Sequence, residues 1–130
     1  YVILRYNTDG SPDNTWGTNG TKYTGINLTG DIARLAMQSD GKVLIAGNTG
    51  ASGNVIVARF TNTGAADLTF DGDGKITFAA LGGYNLTNTR GVGVTSGGQI
   101  IVTCTAAFNF TNEIGLIRLN SNGSIDNSYG

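Results

Sequence analysis

The chain repeats itself, and this constrains its fold more than any other property. Residues 2–16, 56–70 and 115–129 align without gaps. Four positions recur in all three segments: Arg5, Arg59 and Arg118; Gly10, Gly64 and Gly123; Asp13, Asp67 and Asp126; and the aromatics Trp16, Phe70 and Tyr129. Each set is spaced by 54 and then 59 residues, a coincidence that composition does not produce. A second pair, residues 37–47 and 94–104, aligns between them. Small length differences fall between the matched segments, where repeat units absorb insertions as loops.

The repeat divides the chain into three parts. Residues 1–20 end one repeat, with its last strand and its Asp-Gly corner. Residues 21–74 form a full four-stranded repeat, and residues 75–130 form a second with a trailing corner. Expected strands run over 21–28, 31–38, 42–48 and 54–61, then over 75–81, 89–96, 99–106 and 113–120. Asp40-Gly41 and Gly97-Gly98 separate strand runs as hairpin turns that require positive φ. Residues 31–38 look helical in isolation, with Asp31 placed as an N-cap. Their counterpart at 89–96 carries two glycines and a β-branched run and makes a poor helix, so both are read as strands.

Strand polarity points to the higher order. Residues 54–60 and 42–46 are apolar on both faces, as is the run 100–104, and such strands need cover on both sides. Lys75-Ile-Thr-Phe78 alternates instead, as an outer strand does. Four-stranded antiparallel sheets packed face to face satisfy both patterns, which is the geometry of a β-propeller. The chain reads as about two blades plus the start of a third, with a β-solenoid as the alternative.

Composition agrees and narrows the function. Charged residues make up 13% of the chain, against roughly 25% in ordinary soluble domains, and glycine numbers 21. The net charge of −1 and the lack of a basic stripe argue against a nucleic-acid surface. No apolar run reaches the length of a membrane span, and no signal peptide is visible. The single cysteine, Cys104, lies among apolar neighbours and reads as a buried thiol with no cation to activate it.

Catalysis is hard to build here, and the chain is read as no enzyme. Histidine is absent, which removes His-based triads, general bases and metal ligands. The recurring Arg and Asp read as a structural pair that pins a loop once per repeat. Asp67, Asp71 and Asp73 form a weak candidate for a calcium loop, lacking the distal Glu that such loops use. Arg34 and Arg90 are mild candidates for a functional rim, although Arg34 aligns with Gly91. Five Asn-x-Ser/Thr sequons, beginning at Asn19, Asn27, Asn85, Asn109 and Asn122, arise readily in so Asn- and Thr-rich a chain. Gly82-Gly83 and Gly91-Val-Gly93 lack the context of phosphate-binding loops and read as turn and strand positions. No cofactor is expected.

Residues 5–17, Arg-Tyr-Asn-Thr-Asp-Gly-Ser-Pro-Asp-Asn-Thr-Trp-Gly, together with 39–47, Ser-Asp-Gly-Lys-Val-Leu-Ile-Ala-Gly, resemble the delta-60 repeat, a bacterial β-propeller unit of unknown function. The resemblance covers essentially the whole chain. Ala65 stands in the usual Ser position and Gly97 in the usual Asp position, which puts particular turn contacts in question. Residues 11–16 are also similar to the Asp-box turn of sialidase propellers, but two residues are missing between Asp13 and Trp16, so only a similar corner is implied.

Membership of the delta-60 family implies a large secreted or cell-surface protein, many examples being from Bacteroidetes and exported by type IX secretion. The expected role is a structural or adhesive module in such a protein, touching protein or glycan. The alternatives are a subunit or cargo of a surface filament or secretion assembly, or a blade segment of a propeller enzyme with its site elsewhere. Further repeats of the same polypeptide, or another protein chain, are expected to cover the blade edges.

Overall fold

The computed structural model describes residues 1–129, the side chains of 30–32 excepted; Gly130 and the proposed cap side chain of Asp31 therefore lie outside the described residues. The described residues are all β, in ten strands. β1 (Val2–Leu4) pairs with β2 (Thr21–Tyr23). β3 (Leu28–Met37), β4 (Val43–Thr49), β5 (Asn54–Phe60) and β6 (Lys75–Phe78) form one antiparallel sheet in chain order. β7 (Ala80–Leu81), β8 (Tyr84–Val94), β9 (Ile100–Phe108) and β10 (Thr111–Leu119) form a second. Among the described residues no helix is long and apolar enough to cross a membrane.

The backbone of residues 31–37 is strand, as the comparison with 89–96 required. Gly41 and Gly98 sit at φ +81° and +83°, and each donates back three residues, to Gln38 and Thr95. These are the tight turns that the Gly positions make inexpensive.

Two expected strands are placed differently. Residues 21–28 do not form one strand of the first repeat: β2 pairs backward onto β1, Gly25 turns at φ +66°, and β3 begins at Leu28. Residues 75–81 divide in the same way. β6 pairs backward onto β5 through Ala58↔Lys75 to Val55↔Phe78, while β7 forms a short hairpin with β8 through Gly82-Gly83. The cause is the corner between them. It folds the chain back so that Arg5 N donates to Gly20 O and Arg59 N to Gly74 O, both at 2.8 Å. The β1–β2 sheet and the sheet of β3 to β6 therefore each take an edge strand from the sequence repeat that follows.

β3 and β8 are long because each carries a bulge, between Thr29 and Arg34 and between Thr87 and Gly91. A bulge bends a strand and re-aims its side chains. Here it brings Thr89 against the first sheet, where its hydroxyl donates to Gly47 O at 2.7 Å and its N–H to Asn48 Oδ1 at 2.9 Å.

The main core lies between the two sheets. Leu44, Ala46, Val55 and Val57 pack toward Ile100, Val102, Ile117 and Leu119. A second cluster places Ile3 and Trp16 against Val43, Ile45, Ala58 and Phe60 on the other face of the first sheet. β4 and β5 are thus covered on both sides, as their two apolar faces demanded. β6 is the edge strand that its alternation indicated. Gly115 faces Cys104, and a Cβ there would stand 2.9 Å from Sγ, so this glycine makes room for the thiol.

Candidate functional site

The four recurring positions converge in each repeat on one corner. In the second corner Arg59 Nε donates to Asp67 Oδ2 at 2.8 Å, and the pair is buried. Arg5 and Arg118 donate likewise to Asp13 and Asp126, at 2.8 and 2.7 Å. The other carboxylate oxygen, Oδ1, accepts the backbone N–H and the hydroxyl of the residue two positions on: Thr15, Thr69 or Ser128. Each aspartate N–H then bonds back to the carbonyl of its arginine, at 2.9 to 3.0 Å. The guanidinium carbon lies over the aromatic ring, 5.5 Å from the Trp16 centroid, 4.8 Å from Phe70 and 4.3 Å from Tyr129. Cation–π attraction adds to the ion pair at such distances.

The glycine belongs to the joint between corners. Gly64 and Gly123 lie at φ +85° and +94°. A Cβ on Gly64 would stand 2.8 Å from Gly17 N, and one on Gly123 would stand 3.0 Å from two ring carbons of Phe70. Trp16 and Phe70 are therefore each seated on the glycine of the next corner. Backbone bonds repeat the relation: Gly17 N–H donates to Thr63 O at 2.9 Å, and Asp71 N–H to Asn122 O at 2.8 Å. Trp16 Nε1 donates to Thr61 O, and Arg59 Nη1 to Ser121 O.

Electrostatics follow the geometry. Burial works against the Asp67 carboxylate, but the Thr69 hydrogen bonds and the charges of Arg59 and Lys42 outweigh it and hold its pKa at about 2. Lys42 Nζ lies 3.4 Å from Asp67 Oδ2. Asp13 and Asp126 are lowered mainly by the hydroxyls of Thr15 and Ser128. Burial pushes the Cys104 thiol upward.

The turn changes noted in the sequence are accommodated locally. Asn7 and Asn120 donate from Nδ2 to Ser11 and Ser124. In the middle corner, where Ala65 replaces serine, Thr61 Oγ1 accepts the Ala65 N–H. Where Gly97 replaces aspartate, Thr95 and Gln99 bond to each other in place of the Asp40–Lys42 pair.

The remaining candidates separate. Asp67 is held by Arg59, Asp73 pairs with Lys75 at 3.2 Å, and Asp71 turns at φ +51° to reach Asn122. Among the described residues no group of three His, Cys, Asp or Glu is placed to hold a metal ion. Arg34 and Arg90 do meet, since Arg34 Nε donates to Arg90 O at 2.9 Å across the two sheets. Sequence reasoning missed Lys42, Thr89 and the hydroxyls of Thr15, Thr69 and Ser128. The last three were visible as Asp-x-Thr/Ser in every repeat.

No curated protein and no solved structure gives a match to the chain. A family model described as a domain of unknown function (DUF5122) beta-propeller matches residues 1–15, 38–70 and 98–129. These segments hold the Arg–Gly–Asp corners, the tight turn at Gly41 and the strands β1, β4, β5, β9 and β10, and they omit the bulged strands β3 and β8. On a match over most of its length, the chain belongs to the DUF5122 β-propeller family.

Proposed function

We propose that the chain is a non-catalytic structural and adhesive module of the delta-60 type, part of a larger secreted or cell-surface bacterial protein. The observation that carries this reading is the corner itself. Its arginine, aspartate and aromatic recur three times in one arrangement, with the charges turned onto each other and onto neighbouring backbone. A ligand or reaction site would leave such groups free in one copy and not in the others. Along the first joint the surface left for contact is mainly polar. An open groove of about 550 Å³ along the first joint is lined by Thr18, Thr21, Lys22 and Tyr23. Exposed tyrosine beside hydroxyl groups suits a sugar face or a polar protein loop.

The test is binding of the 130-residue chain to glycan and surface-protein arrays. Saturable binding that is lost in Tyr23→Ala supports the adhesive role. Binding to neither array leaves scaffolding as the whole function.

A further inference from the structure

The second repeat is longer than the first, and its two insertions meet at one end of its sheet. Thr49 and Asn54 form the last pair of the β4–β5 ladder, with four residues between them. The matching pair, Ala106 and Glu113, encloses six, and its ladder runs on through Ala107↔Asn112 and Phe108↔Thr111. The other insertion holds β7, which has no counterpart strand in the first repeat. Tyr84, at the β7–β8 turn, packs its ring 5.4 Å from that of Phe108.

The β9–β10 hairpin is thus a finger that reaches past the end of its sheet. At its tip Asn109 and Phe110 lie at φ +45° and +66°. A two-residue turn of this kind takes glycine at its second place, and the matching turn of the first repeat uses Gly50 and Gly53 at its positive-φ positions. A bulky ring held in left-handed backbone is strained, and Phe110 is fully exposed, so it buries nothing in return. A neighbouring repeat does not cover this end of a sheet: residues 50–52 of the first repeat stay exposed although the second sheet packs on that repeat.

Backbone strain persists where function uses it, and repeat arrays carry insertions on one face, often the binding face. The chemistry of the finger selects its partner. In residues 79–87 and 106–113 the one charged side chain is Glu113, so nothing there attracts a phosphate or an anionic lipid. Tyr84 and Phe108 are tilted by 48° and engaged with each other, which leaves no flat platform for a sugar ring. An exposed aromatic flanked by the amides of Asn85, Asn109 and Asn112 has the make-up of a protein interface, with aromatic, charge-poor groups at the centre and a polar rim.

We propose that the β9–β10 finger is a docking element for another protein, Phe110 entering an apolar, uncharged cleft of that partner. It rests on the adhesive reading above, takes the protein side of it, and places the contact apart from the groove at Tyr23.

Binding of the unmodified chain, Phe110→Gly, Phe110→Asn and Tyr23→Ala to the surface-protein and glycan arrays tests it, with neutral and anionic lipid vesicles alongside. Glycine and asparagine both suit positive φ. The expected result is that both Phe110 variants melt a few degrees higher than the unmodified chain, yet bind protein at least about tenfold more weakly. Tyr23→Ala should keep that binding. A lower melting temperature in both Phe110 variants would overturn the proposal, because the ring would then be holding the fold. Phe110-dependent binding to glycans or vesicles but not to protein would also overturn it. Protein binding that ignores both Phe110 variants and is lost in Tyr23→Ala would overturn it while leaving the adhesive reading in place, whereas binding to nothing would remove both.

Discussion

Phe70 rests on Gly123, close enough that a single methyl group on the glycine would stand 3.0 Å from two carbons of the ring. The contact joins neighbouring repeats and also requires a backbone conformation that L side chains rarely adopt, at φ +94°. Gly123→Ala should therefore cost roughly 3 kcal/mol, combining left-handed strain with overpacking. Gly10→Ala carries the strain without the clash and should cost about 1 kcal/mol. Urea unfolding of the two variants measures the difference, and equal losses would show that the ring contact contributes nothing.

Asp67→Asn removes the charge facing Arg59 and Lys42 but keeps the shape of the side chain. Arg59 is 4% exposed and cannot turn to water, so its charge would be left uncompensated. Breaking one partner of a buried pair costs about 3–5 kcal/mol. Asp126→Asn, whose arginine is more exposed and has no lysine beside it, should cost clearly less. Thermal unfolding of both variants gives the ranking.

Acid should weaken the fold through the same carboxylate. The pKa of Asp67 falls from 3.8 to about 2 in the folded chain, so the unfolded state binds more protons in that interval. The contribution is complete above pH 4 and is lost as pH falls toward 2. Its size is on the order of 2 kcal/mol. Asp13 and Asp126 shift in the same direction. Denaturant midpoints measured from pH 6 to pH 2 should decline mainly below pH 4, and Asp67→Asn should flatten that decline.

Cys104 should report opening of the sheets. It is buried against Gly115, and burial raises its pKa, so little thiolate is present in the folded state. A thiol reagent should react slowly in the native chain and rapidly in denaturant. In Gly123→Ala the native rate should rise about tenfold for each ~1.4 kcal/mol of stability lost. A fast native rate would mean that the β9–β10 pair opens readily.

Much of this architecture was legible because repetition supplied the control that single-sequence reading lacks. The helix-like stretch at 31–38 reads as strand only because its counterpart at 89–96 cannot be helical. Arg59, Gly64, Asp67 and Phe70 were each visible as recurring positions. That Phe70 sits on Gly123 was not visible, because a linear sequence does not say on which side the next repeat stacks. The placement of 75–78 failed for a related reason. Its alternation identified an edge strand, but which sheet it edges depends on the corner bond between Arg59 N and Gly74 O, which has no signature in residue type. Thr15, Thr69 and Ser128 recur as Asp-x-Thr/Ser, but in a chain so rich in hydroxyl residues the recurrence does not mark them as partners of the carboxylate.

The backward pairing of β6 onto β5 also bears on how such a chain can change in length. Because β2 pairs onto β1 and β6 onto β5, two of the three sheets close with residues from the following period and overlap like roof tiles rather than stacked bricks. Duplication or loss of one whole period, beginning at any point, hands each sheet a fresh edge strand of the right kind. A cut of any other length strands one sheet without its last tile. Arrays of this design can grow and shrink by unequal recombination with little regard to where the break falls.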